Sequence, residues 1–222
     1  MENYTLGLAL FDYLPVIAAG FGLYLICKYC ARLGKYRSLW IVAIPVIALI
    51  GGTLKASWKL IYALNGADHR WMSDQLFFFL ASAYVLMAVF VIRAMRANKR
   101  GDNLAHDWWR GPLAAVVVVV GLALYLKSSG EGRTWSILLL ATLSLANLVF
   151  LLTLVSHAWQ RRNWIAAIIF VVNLALSYVL VGLARMEQTA ELQWIEEFLN
   201  LANNGLLAVG AWNLNKGLAS DY

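Results

Sequence analysis

The chain has 222 residues, 62% of them hydrophobic and 14% charged, with a formal net charge of +6. An ordinary soluble domain is about 45–50% apolar and about 25% charged, so this composition excludes a disordered chain and argues strongly against a soluble globular domain. A membrane-spanning helix needs about 20 apolar residues, and the length leaves room for seven with short loops.

In chain order, apolar runs and their interruptions predict spans over Thr5–Cys30, Leu39–Leu64, Asp74–Met95, Pro112–Leu126, Trp135–His157, Trp164–Leu183 and Leu192–Leu214. The breakers between them are Asn65-Gly66, the run Lys99 to Asn103, Ser128-Ser129-Gly130 and Arg161-Arg162-Asn163. The fourth span is the shortest, and Pro112 stands where the first turn of a helix tolerates proline. The first residues carry Glu2 and no basic residue before Leu6, unlike a secretory signal, so the first run is expected to remain as a span. The fold class is thus all-α, a polytopic bundle of seven transmembrane helices in a single domain covering residues 1–222.

Basic loops face the cytoplasm. Twelve of the eighteen Lys and Arg residues fall at one end of this arrangement, among them Lys28, Arg32, Lys35, Arg37, Arg93, Arg96, Lys99, Arg100, Arg161 and Arg162. Four fall at the other end: Arg70, Lys127, Arg133 and Arg185. The expected topology is therefore N-terminus outside and C-terminus cytoplasmic, in a multi-pass protein of the plasma (inner) membrane. The positive charge fits anionic lipid headgroups at the cytoplasmic face and not nucleic acid. Tyr36, Trp40, Trp108, Trp109, Trp159 and Trp164 fall at inner ends, and Trp71, Trp135 and Trp194 at outer ends, as interfacial belts predict.

Seven spans admit a parallel repeat of three, a crossover, and three. The traces are Trp40 to Trp71 and Trp164 to Trp194, each second Trp followed by acids (Asp74; Glu196 and Glu197). That layout is also the layout of sugar and PQ-loop transporters, although no Pro-Gln pair occurs here.

Ionisable residues inside spans are costly and mark functional candidates. Asp12 lies roughly 10 Å below the outer surface, and Lys59 and Lys55 roughly 8 and 14 Å below it, at ~1.5 Å per residue. Lys55 and Lys59 are four apart and share a helix face. One carboxylate leaves surplus positive charge for an anionic ligand. Pro15 follows Asp12, and Pro45 and Gly51-Gly52 precede Lys55, so both helices are expected to break and line a cavity. A second polar set comprises Asn173, with Asn147 and Tyr178 nearby, and Asn200, Asn203 and Asn204 in the last span. Such amides either glue helices together or line a path. Glu187, Glu191, Glu196 and Glu197 are expected to make the outer mouth negative or to cap helices.

Other chemistry finds little footing. Cys27-Lys28-Tyr29-Cys30 has no second cysteine pair, and with His106 and His157 matches no common zinc spacing. Two small buried residues is the better reading of that pair. No histidine is deep enough for a haem, and Lys216 at the end of span seven excludes the retinal site of microbial rhodopsins. No hydrolase or phosphate-loop motif is present, and a lone membrane carboxylate does not make a catalytic pair. No metal or other cofactor is expected. Gly20, Gly22, Gly51, Gly52, Gly205 and Gly210 are expected at close helix approaches.

Two functions remain. One is a small transporter or channel for a small anionic or zwitterionic solute, using Asp12, Lys55 and Lys59 with Asn173, Asn200, Asn203 and Asn204. The other is a non-transporting sensor, receptor or accessory subunit. Each implies a small-molecule or ion ligand, or a partner in a membrane complex.

Overall fold

The structure, a computed structural model, describes residues 5–35, 39–130, 132–184, 186 and 189–219, the side chains of 218 and 219 excepted. Tyr36, Arg37, Arg185 and Glu187, used above, lie outside the described residues. Among the described residues the only regular elements are helices, with no strand. The elements are α1 (Leu6–Phe11), α2 (Tyr13–Leu33), α3 (Trp40–Asn65), α4 (Arg70–Arg100), α5 (Arg110–Ser128), α6 (Thr134–Gln160), α7 (Trp164–Leu183) and α8 (Ala190–Ala219).

α1 and α2 run on as one helix of 28 residues, interrupted at Asp12. Pro15 has no N–H for the Phe11 carbonyl, and the helical ladder opens there. Among the described residues, six helices are long and apolar enough to cross a membrane. α8 has 30 residues but is more polar, and its polarity is turned inward. Gln193, Glu197, Asn203 and Asn215 are buried, while Ile195, Phe198, Val209 and Trp212 are exposed on the opposite stripe. This pattern, polar inside and apolar outside, is the inverse of a soluble amphipathic helix and is what a lipid-facing helix presents.

Local sequence sets the helix ends. Gly66 and Gly101 close α3 and α4 in the left-handed region, at φ 73° in both cases, where a glycine carries no steric penalty. The Asn163 side chain accepts from the Ala166 amide at 3.1 Å, and Thr189 Oγ1 accepts from the Leu192 amide at 3.2 Å, capping α7 and α8.

The helices form a ring. α2, α3, α4, α6, α7 and α8 each pack on the next, and α8 returns to α2 through one of the most extensive contacts in the molecule. α5 stands outside the ring against α6 and α4, with Pro112 and Ala123 as its buried residues. Small residues let the ring close. A Cβ on Gly22 would lie 3.1 Å from the Ala208 backbone nitrogen, and one on Gly210 would lie 2.8 Å from the Phe170 ring. Gly205 departs from expectation, because a Cβ there meets nothing within 4 Å.

The two ends of the ring differ in filling. Toward the basic end lies the main core: Leu23, Ile26 and Tyr29 of α2, Leu86, Met87 and Phe90 of α4, Phe150 and Leu154 of α6, Phe170 of α7 and Leu207 of α8. The segment between α4 and α5 folds over this end. The Leu104 amide donates to the Gly34 carbonyl at 2.9 Å, and Trp108 stacks on Phe90 at 4.8 Å between ring centroids. Trp108 is therefore a core residue, 2% exposed, and not the interfacial residue expected. Trp159 and Trp164, both exposed, do occupy the rim.

The expected break in α3 does not occur. Pro45 lies in the second turn, where its missing N–H frees only the carbonyl of Ile41, and the helix continues to Asn65. Gly51 and Gly52 serve instead as contact points, since a Cβ would lie 2.7 Å from Phe79 Cβ and 2.8 Å from Val16 Cγ2.

Candidate functional site

The opening at Asp12 brings its carboxylate against α3. Lys59 Nζ lies 2.9 Å from Asp12 Oδ2 and donates to Glu197 Oε1 at 2.6 Å. All three side chains are buried: Asp12, Lys59 and Glu197 are 7%, 5% and 5% exposed. One ammonium thus ties the α1–α2 junction, α3 and α8 together. Tyr13 and Ser57, hydroxyl to hydroxyl at 2.8 Å, reinforce the contact between α2 and α3.

Glu197 is the correction that matters most. The sequence reading placed it with Glu196 and Glu191 at a negative outer mouth and counted one carboxylate inside. Two carboxyls face Lys59 instead, so the expected surplus of positive charge is gone: Asp12 and Glu197 balance Lys55 and Lys59. The pairing also answers the earlier objection that the membrane interior held no carboxylate pair. Spacing alone does not choose between the two acids, because Glu196 stands four residues before Asn200 and Glu197 stands seven before Asn204.

Beside the triad is a cavity of about 270 Å³, walled by α2, α3, α4, α6, α7 and α8. Asp12, Lys55, Glu197, Asn200 and Asn204 form its polar side, and Leu76, Leu80, Tyr84, Leu140 and Leu143 its apolar side. Lys55 stands one helical turn deeper than Lys59 and makes no ion pair among the described residues. Asn147 and Tyr178 complete the rim.

The amides divide into two groups. Asn173 Nδ2 donates to the Asn203 carbonyl at 2.6 Å and to Asn203 Oδ1 at 2.8 Å. Asn203 Nδ2 in turn donates to Ser177 Oγ at 3.1 Å. These residues join α7 to α8, and Asn173, 3% exposed, is not part of the cavity wall. Asn200 and Asn204 belong to the wall itself, and Asn203 does both, lining the cavity beside Ser177 while it holds Asn173.

At the basic end, Cys27 and Cys30 are free and fully buried. Cys27 Sγ sits 3.9 Å from Met87 Sδ, and the Tyr29 hydroxyl meets His157 Nε2 at 2.7 Å. Among the described residues, no three His, Cys, Asp or Glu side chains converge as metal ligands would. The acids invoked for a repeat stand in unlike places. Asp74 pairs with Lys127 at 2.7 Å on the rim, beside Trp135, whereas Glu197 is interior. The wall offers the Lys55 ammonium, four asparagine amides and an apolar face inside a ring of helices.

No family model, curated protein or solved structure compared with this chain matches it.

Proposed function

We propose that this chain is a small membrane transporter for a small anionic or zwitterionic solute with an apolar portion, bound in the central cavity. One observation carries the reading: Lys55, Asn200 and Asn204 converge with the buried triad on a single cavity that all six ring helices wall. Buried charges and amides are enriched where a solute crosses, and transporter sites sit near mid-membrane beside an interrupted helix. Lys55 lies ten residues in from the Asn65 end of α3, roughly 15 Å at ~1.5 Å per residue. The interruption at Asp12 and the inward polar face of α8 support the same reading. Lys55 receives the anionic group, Asn200 and Asn204 orient it, and the leucine wall takes the apolar part. The basic end is cytoplasmic by the charge bias, so the cavity belongs to the outer half of the membrane, with α8 as the seventh span.

The dense core at the basic end favours a second reading, a sensor whose ligand enters and leaves by one side. Single cysteines at Asn204 and Leu23 separate the two, with impermeant thiol reagents applied from each side. Cys27 and Cys30 are 0% exposed, and the unmutated chain serves as the unlabelled control. A transporter exposes Leu23→Cys to the cytoplasmic side in part of its cycle. Labelling of both positions from the outer side alone, under every condition, supports the sensor.

A further inference from the structure

The charge count in the cavity has a consequence for what must enter with an anion. Four ionised side chains bear on it: Asp12 at the α1–α2 junction, Lys55 on α3 and Glu197 on α8 line it, and Lys59 on α3 pairs with both carboxyls. α4 and α7 contribute only the phenols of Tyr84 and Tyr178, and α6 contributes Asn147 and no ionisable group. Glu196 neighbours Glu197 in sequence but is not part of the wall. With both carboxyls ionised the four charges sum to zero. A bound monoanion would leave one uncompensated negative charge in a low-dielectric interior, which is strongly unfavourable. No further cation is at hand among the described wall residues. The geometry offers one remedy, since Asp12 and Glu197 both pair with Lys59 Nζ, at 2.9 and 2.6 Å. Two carboxyls so placed hold one proton between them more readily than two negative charges.

Resting on the anion site at Lys55 proposed above, we infer that Asp12 and Glu197 form a proton-coupling pair, so that each monoanion binds together with one proton. The proton comes from bulk water and attaches to one carboxyl oxygen of the pair. The other carboxylate keeps Lys59, and the charge of Lys55 is left for the ligand. Anion and proton leave together, and net charge in the cavity is zero before and after.

The test uses hexanesulfonate, a monoanion that stays ionised throughout the accessible pH range, so any pH dependence belongs to the protein. Binding to the purified full chain is measured by isothermal titration calorimetry between pH 5 and 9, in buffers of different ionisation enthalpy. The expected result is affinity falling about tenfold per pH unit on the alkaline side and uptake of about one proton per ligand bound. D12N and E197Q should flatten that profile, and K55Q should abolish binding. The buffer comparison needs only the unmutated chain, so the inference remains testable if a substitution prevents folding. Binding with no pH dependence and no proton uptake overturns the coupling and leaves the proposed function standing. Absence of binding at every pH removes the anion site, and with it both readings.

Discussion

The two halves of the helical ring are built from the same helices and filled in opposite ways. At the basic end, side chains from six helices interlock around Tyr29, Phe90, Phe150 and Phe170, and polar groups such as the hydrogen-bonded pair Tyr29 and His157 are few. At the other end the helices enclose a cavity, and the stabilising contact is an ionic triad rather than packed hydrocarbon. Lipid tails are as apolar as leucine, so helices in a membrane gain little from burying leucine against leucine. Association rests on packing detail and on polar contacts. The basic half uses the first, and the cavity half uses the second. A half held by packing has no room for a solute; a half held by a few strong polar contacts can leave volume open between them.

This contrast can be broken at four points. The largest effect is expected at Lys59. K59M strands two buried carboxyls, and removing one partner of a buried charge set costs about 3–5 kcal/mol. The loss should appear in denaturant unfolding, and replacing Asp12 and Glu197 with leucine in the same chain should recover most of it. Failure of the triple variant to recover would mean that the triad does more than neutralise itself. Next comes the close approach of α3 to α4. Gly51→Val puts a side chain where Phe79 Cβ already lies 2.7 Å from a bare Cβ, and overpacking of this kind costs about 1–3 kcal/mol. Gly205→Ala is the control, with open space at that position and a gain of up to about 1 kcal/mol from helix propensity.

In the packed half, Y29F removes the partner of His157 Nε2, which is buried, at a cost of about 1–3 kcal/mol in the same unfolding assay. It should leave hexanesulfonate affinity unchanged, and a change there would show that the two halves communicate. The smallest stability effect belongs to the double substitution N200A/N204A. These side chains face the cavity and make no cross-helix bond of the kind that Asn173 makes with Asn203, so the cost should stay within about 0.5 kcal/mol while hexanesulfonate binding weakens. Equal losses of stability from N200A/N204A and from N173A would erase the distinction between lining and gluing amides.

Much of the fold was legible in the sequence. α7 runs over the very span predicted, Trp164–Leu183, because arginines, an asparagine cap and a long apolar run bound it on local grounds. Asp12 and Lys59 were legible as partners, since charge inside a span has few places to go. The α3 break was misread because proline and glycine have two uses in a membrane helix: opening the ladder and permitting contact. Sequence does not separate them. Trp108 was misread because interfacial and core tryptophans share a position near the helix end, and only the fold of the α4–α5 segment buries this one.

The sequence alone determined that the chain is a set of long apolar helices suited to a membrane, roughly where they lie, and which residues are too polar to face lipid. These are properties of single helices, set by length, capping and the cost of charge in hydrocarbon. The tertiary structure decided that Glu197 rather than Glu196 meets Lys59, that α5 stands outside the ring, and that a cavity survives beside Lys55. The helical period assigns residues to a face, but only the packing of six helices decides what that face meets. In a bilayer the inner and outer faces of most helices are alike in hydropathy, so that choice leaves little trace in any one segment.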